Sequence, residues 1–337
     1  MIEKNKIGLV GYALIRGFGW SMVSLVFIFV FNTFLTLSQE WPGINKFLAS
    51  ASESNVGRGY IFWIQGMVQT SLYLGGIFLP FFIAFKKTGK SLRHDAKFLC
   101  RIVNYFIRSC FWAVLLVGLT DAIISFLRVE DLLIVIFDQE FATQLGRSRF
   151  RGPYIHIPLV LIGFVIGAFI KNLAFMWLSL LVVFGELSIV ITRFVFSYEQ
   201  AFQGDIIRFW YAALFLFSSA YTLYQDGHVR VDVLYTHFDR SKRGIVNAIG
   251  SVVLGMSLCW AILLLGMWEK TNIIVNPLLN YESAQAGFGM YTKYWLAAFL
   301  AVFAISMLIQ FTSYFFESVA DYNKDPGQRE ITLMSSQ

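Results

Sequence analysis

The stretch Ser219-Ala220-Tyr221-Thr222-Leu223-Tyr224-Gln225-Asp226-Gly227-His228-Val229-Arg230-Val231-Asp232-Val233-Leu234-Tyr235 carries a long apolar run back into water. The run closes on Gly227, the residue type that most readily takes the left-handed conformation just past a helix end. His228, Arg230 and Asp232 then stand two apart, alternating with Val229, Val231 and Val233. In an extended segment this spacing gives one polar and one apolar side. Ionisable groups packed this tightly beside bilayer depth call for partners. Apolar runs of the same kind recur along the chain. In lipid such a run must satisfy its own backbone, which a helix does. The expected fold is therefore all-α, a polytopic helical membrane protein.

Composition agrees. Hydrophobic residues make up 57% and charged residues 14%, against about 25% charged in a soluble domain. The mean hydropathy is +0.63. The 35 Phe, 15 Tyr and 9 Trp suit lipid-facing surface and interfacial belts. Cys100, Cys110 and Cys259 show no C-x-x-C spacing and read as buried small hydrophobes rather than a metal site or disulfide framework. Lys4, Lys6 and Arg16 precede an apolar run too long for a signal-peptide core, with no small-residue cleavage site after it; it reads as a retained first span. The net charge of +6 lies in loops between apolar runs, so no nucleic-acid partner is expected and the lipid bilayer is.

Eight spans are expected near Tyr12–Leu37, Tyr60–Phe85, Ile102–Leu127, Ile155–Ile170, Leu173–Phe196, Ile207–Tyr224, Ile245–Trp268 and Tyr291–Phe315. A single helix over Ile157–Phe196 would be about 60 Å long at 1.5 Å per residue, about twice a bilayer core. A hairpin turning at Lys171-Asn172 is therefore preferred to one projecting helix. The connection holding Lys86, Lys87, Lys90, Arg93, Lys97 and Arg101 is strongly basic, as is that holding Arg230, Arg240, Lys242 and Arg243. Both belong in the cytoplasm by the positive-inside rule. Four spans between them satisfy this, with both termini cytoplasmic. In the mixed loop from Arg128 to Tyr154, Val129–Phe137 could form a short surface helix, followed by Arg147, Arg149 and Arg151 as headgroup contacts.

The opening stretch resembles a signature of the small membrane subunit, the Q or DctQ-type subunit, of TRAP (tripartite ATP-independent periplasmic) transporters. Ala220, Gly227 through Asp232, Leu234 and Tyr235 fill the family's run. Upstream, Ile191-Thr192-Arg193-Phe194-Val195-Phe196 is similar to the family's ending of its first helix. Asp205-Ile206-Ile207-Arg208-Phe209-Trp210 is similar to the opening of its second, with Asp for the usual Glu. The resemblance covers roughly residues 173 to 320. It implies a four-helix region there, an additional membrane region over 1–172 with a periplasmic loop near 128–154, and a cytoplasmic tail over 321–337. It also implies a role as scaffold for a large membrane subunit with elevator-type motion. That partner would import an organic anion, commonly a carboxylate, delivered by a periplasmic binding protein and driven by sodium. The chain would then sit in the bacterial inner membrane and be no enzyme. It would need no cofactor, the sodium ions belonging to the large subunit. The residues carried over are Arg193, Asp205, Arg208, Gly227, His228, Arg230 and Asp232.

Glu186 and Arg193 fall on about the same helix face, two turns apart, and an ionised group at bilayer centre should avoid lipid. They face a partner subunit, bridge within this chain, or leave Arg193 snorkelling to headgroups. Asp205 is placed to cap the sixth span, with docking of the binding protein as a further role. His228 and Asp232, four apart, hold the loop in shape or carry a proton; the structural role is favoured. Asp121 is expected to be satisfied by backbone or a neighbouring helix, and Lys171 to snorkel.

There is no P-loop, no H-E-x-x-H and no pair of broken helices marking a midplane site,. His94, His156, His228 and His237 form no facing pairs for haem. The alternative function, a membrane anchor for an electron-transfer enzyme, would need such haem or quinone sites.

Overall fold

The structure, a computed structural model, describes residues 7–52, 59–86, 91–171, 175–198, 201–225, 235–283 and 289–327. These residues are helical with no strand. Eight helices are long and apolar enough to cross a membrane. They are α1 (Leu9–Leu37), α3 (Tyr60–Lys86), α4 (Leu92–Val129), α7 (Ser148–Phe169), α8 (Phe175–Val195), α9 (Ala201–Tyr224), α10 (Arg240–Met267) and α12 (Lys293–Tyr322). Between them lie α2 (Gly43–Ser52), α5 (Leu133–Ile136), α6 (Gln139–Leu145) and α11 (Val275–Asn280). The spans are those the apolar runs delimit. The 157–196 stretch is two helices, since α7 stops before Ile170, whose backbone is extended, and α8 begins at Phe175.

One boundary differs from the sequence expectation. Arg93, Lys97 and Arg101, assigned above to a loop, lie in the first turns of α4. The Ser91 side chain accepts from the His94 N–H at 3.3 Å, and Asp95 occupies the first turn, both of which favour a helix start. At 38 residues α4 is about 57 Å long, so its charged first turns lie outside a hydrocarbon core of about 30 Å.

The chain divides into two compact units. The first comprises Met1–Cys100, Leu223–Lys270 and Met307–Gln337; the second Arg101–Thr222 and Thr271–Ser306. Each therefore draws on residues from both sides of position 172. In the first unit, Gly244 lets α10 approach α12 at backbone distance: a Cβ there would stand 2.6 Å from the Ser318 carbonyl and the Tyr322 nitrogen. Charges finish the helix ends. Arg93 pairs with Glu317 and, at 2.7 Å, with Asp321, which also takes Arg240 at 2.9 Å. Arg16 and the Trp20 indole both reach Asp95.

In the second unit, Gly163 and Gly167 of α7 lie flat against α4. Cβ atoms there would stand 2.5 Å from the Ala113 nitrogen and 2.4 Å from the Ser109 hydroxyl. Small residues four apart are how membrane helices gain close van der Waals contact. Rings of Phe111, Phe217 and Phe299 meet edge to face, and Phe209 packs on Phe299 with centroids 5.0 Å apart. All three cysteines are buried.

Candidate functional site

Helix α8 is the least enclosed span: 6% of its apolar window is buried, against 56% for α12. Its residues sort into three faces about 120° apart at 100° per residue. Leu178, Gly185 and Ser188 form one, where Leu178 is buried and Gly185 abuts Ile207 of α9. A second carries the bulky Trp177, Leu180, Phe184, Leu187 and Phe194, all more than half exposed. The third is Ser179, Val183, Glu186, Val190 and Arg193, a stripe of small and β-branched residues with two charges. Both Glu186 and Arg193 are exposed. Glu186, about 16 Å from the start of α8, has no hydrogen bond or ion pair among the described residues.

Asp205 lies inside α9 rather than at its cap, because the helix begins at Ala201. Its carboxylate instead accepts the Met290 N–H at 3.0 Å. Thus it satisfies a free donor just ahead of α12 rather than one of its own helix. Arg208 is exposed and stands 3.8 Å from Asp205. Gly227, His228, Arg230 and Asp232 lie outside the described residues.

The most enclosed polar group of the second unit centres on Asp121. Asp121, Arg151 and His156 have fully buried side chains. Arg151 Nη1 donates to Asp121 Oδ1 at 2.7 Å and to Ser125 at 3.2 Å, while its Nε donates to the Leu145 carbonyl at 2.5 Å. The other carboxylate oxygen accepts the Tyr291 N–H at 2.8 Å. The Trp295 indole, which can only donate, points to His156 Nδ1 at 3.3 Å. That nitrogen is therefore an acceptor, and the Tyr294 hydroxyl donates to it at 2.6 Å. The ring proton consequently sits on Nε2, which donates to Asp121 Oδ1 at 3.1 Å. Arg151 is the permanently charged partner of Asp121. Arg128 and Arg151 both lie over the Tyr291 ring, at 4.4 and 4.5 Å. Arg151 Nη2 has no hydrogen-bond partner among the described residues, so the bonds through Nη1 and Nε are what hold the buried charge pair.

Asp121 is met by a neighbouring helix and by backbone, as expected. One sequence expectation changes here. Arg151, assigned above to headgroups with Arg147 and Arg149, turns inward while those two are exposed. Its own helix end is tied to Leu145, and Asp121 needs a cation that lipid cannot supply. Of the surface helix expected over Val129–Phe137, Val129 ends α4 and only the single turn Leu133–Ile136 is a separate helix, α5, with Ile134, Val135 and Ile136 more than half exposed. The Gly163/Gly167 contact was also missed, although its G-x-x-x-G spacing was legible.

The arrangement clamps helices together and contains no nucleophile aligned with a base. No group of His, Cys, Asp or Glu among the described residues could hold a metal ion. Residues 179–320 match the family described as tripartite ATP-independent periplasmic transporters, DctQ component. No curated protein and no solved structure matches the chain. The matched region contains nearly all of α8 and most of α12, and the described site residues Glu186, Arg193, Asp205 and Arg208.

Proposed function

Because residues 179–320 belong to the DctQ component family of tripartite ATP-independent periplasmic transporters, we propose that this multi-pass membrane protein is an enlarged small subunit that docks on the large membrane subunit through the Ser179–Arg193 stripe of α8. The observation that carries this is Glu186, exposed in mid-helix and unpartnered among the described residues. A carboxylate at bilayer centre costs about 2.5–3.5 kcal/mol even on the lenient insertion scale, and a basic or hydrogen-bonding partner helix removes that cost. The small side chains beside it allow close approach, whereas the neighbouring face of Trp177, Phe184 and Phe194 suits lipid.

In this role the chain sits in the bacterial inner membrane with both termini cytoplasmic. It widens a static scaffold against which the large subunit makes an elevator-type motion. A periplasmic binding protein delivers an organic anion, a carboxylate by class. A sodium gradient acts in the large subunit, and this chain holds no cofactor. Arg230 and Asp232 support the loop and its assembly.

Co-purification tests the contact. Glu186→Leu should reduce recovery of the large subunit at least fivefold, while Phe184→Leu on the lipid face leaves it intact. Unchanged recovery with Glu186→Leu refutes α8 as the docking face. In liposomes with a sodium gradient and binding protein, this chain alone should accumulate no substrate; accumulation would refute the scaffold role.

A further inference from the structure

A cavity of about 390 Å³ opens in the first unit where α1 ends and the chain turns into α2. That size lies in the range of small-ligand sites. Its frame is fixed from below. Gln69, 1% exposed, accepts the Gly43 N–H at 3.0 Å and donates to the Thr36 hydroxyl at 2.9 Å. This holds the turn in which Gly43 takes φ of +72°, a left-handed conformation that favours glycine. Phe29 and Trp268 form the apolar wall.

One lining group is left without an answer. Asn32 is 3% exposed, and neither its amide nitrogen nor its oxygen has a hydrogen-bond partner among the described residues. The Tyr73 hydroxyl lines the same cavity and approaches Asn32, but the contact does not meet hydrogen-bond geometry. A buried donor and acceptor left unpaired together are costly, and a single hydroxyl that both donates and accepts can satisfy them. At the rim, Lys46 is exposed and has no ion pair among the described residues, whereas Lys270 stands 3.8 Å from Glu40 and Glu269 adds an anion. Asn32 is five residues from the end of α1, about 7–8 Å along the axis. Trp268 follows the last residue of α10, as tryptophans do at the membrane–water boundary. The cavity is therefore at headgroup depth.

We propose that this cavity binds a hydroxylated phosphate group of the glycerol phosphate type, its hydroxyl on Asn32 and its oxyanion on Lys46. An ethanolamine headgroup fits Asn32 poorly, since its ammonium can only donate and leaves the amide nitrogen unanswered. The same chemistry has two sources, phosphatidylglycerol from the bilayer or free glycerol phosphate from water. The proposal does not depend on the transporter assignment, because α1, α2 and α3 lie outside residues 179–320.

Native mass spectrometry of the full chain, with phosphatidylglycerol and phosphatidylethanolamine of matched acyl chains, tests it. Titration with sn-glycerol 3-phosphate forms a second arm. Phosphatidylglycerol should be retained at least fivefold better, and Lys46→Gln and Asn32→Leu should each abolish the preference without altering phosphatidylethanolamine retention. Lys46 is exposed, so Lys46→Gln decides the matter if Asn32→Leu fails to fold. Binding of free glycerol phosphate that Lys46→Gln weakens, without lipid preference, supports the site and assigns its ligand to the aqueous side. Absence of both kinds of binding, or a preference that Lys46→Gln leaves unchanged, overturns the proposal.

Discussion

Replacing Arg151 with Met should be among the most destabilising single changes in the second unit. Met keeps an unbranched apolar stem but removes the guanidinium, so the 2.7 Å bond to Asp121 is lost. Asp121 is then a fully buried carboxylate with His156 and the Tyr291 amide as its remaining partners. Removing one member of a buried pair costs about 3–5 kcal/mol. With an unfolding entropy of about 2.1 cal/mol/K per residue, this corresponds to a fall of about 4–7 °C in Tm if the whole chain unfolds together. Intrinsic tryptophan fluorescence of the detergent-purified chain during heating gives the measurement. The cycle is completed with Asp121→Asn and the double variant. Asp121→Asn alone strands Arg151, so the double variant should lose less than the sum, by about 1–3 kcal/mol. Additive effects, or an Arg151→Met protein as stable as the parent, would refute the assignment of Arg151 as the counter-ion of Asp121.

Gly163→Ala should destabilise by about 1–3 kcal/mol through overpacking, because its Cβ would meet the Ala113 backbone at 2.5 Å; an unchanged Tm would show that α7 does not bear on α4 there. In a background without Cys100, Cys110 and Cys259, an impermeant thiol reagent on intact cells should label Ser38→Cys and spare Ser91→Cys; the reverse pattern inverts the topology. Asp325 lies beyond α12, and burial raises its carboxyl above the ordinary value. The folded chain thus holds that proton more tightly, and the destabilising contribution, present above the folded pKa, is relieved as pH falls through it toward the unfolded value. Asp325→Asn should flatten this part of the stability–pH curve, and a slope identical to the parent's would reject the contribution.

The number and type of elements follow from sequence because a bilayer leaves an apolar run of some twenty residues one structure to adopt. The stripe of Glu186 and Arg193 was also legible, since a separation of seven residues fixes two positions on one helix face wherever the helix packs. Gly163 and Gly167 could have been read the same way. Asp121, Arg151 and His156 could not. Arg151 is 30 residues from Asp121 and His156 is 35, while Tyr294 is 138 from His156. No periodicity links positions on different helices. An arginine near a span end can extend to headgroups or turn inward, and its local sequence is the same in both cases. Asp205 shows the same limit: its helix begins one turn earlier than the charge pattern suggested, which moves the carboxylate from its own helix start to the Met290 amide. Local sequence determines which face of a helix is apolar, whereas the partner of each buried charge depends on which helices come together.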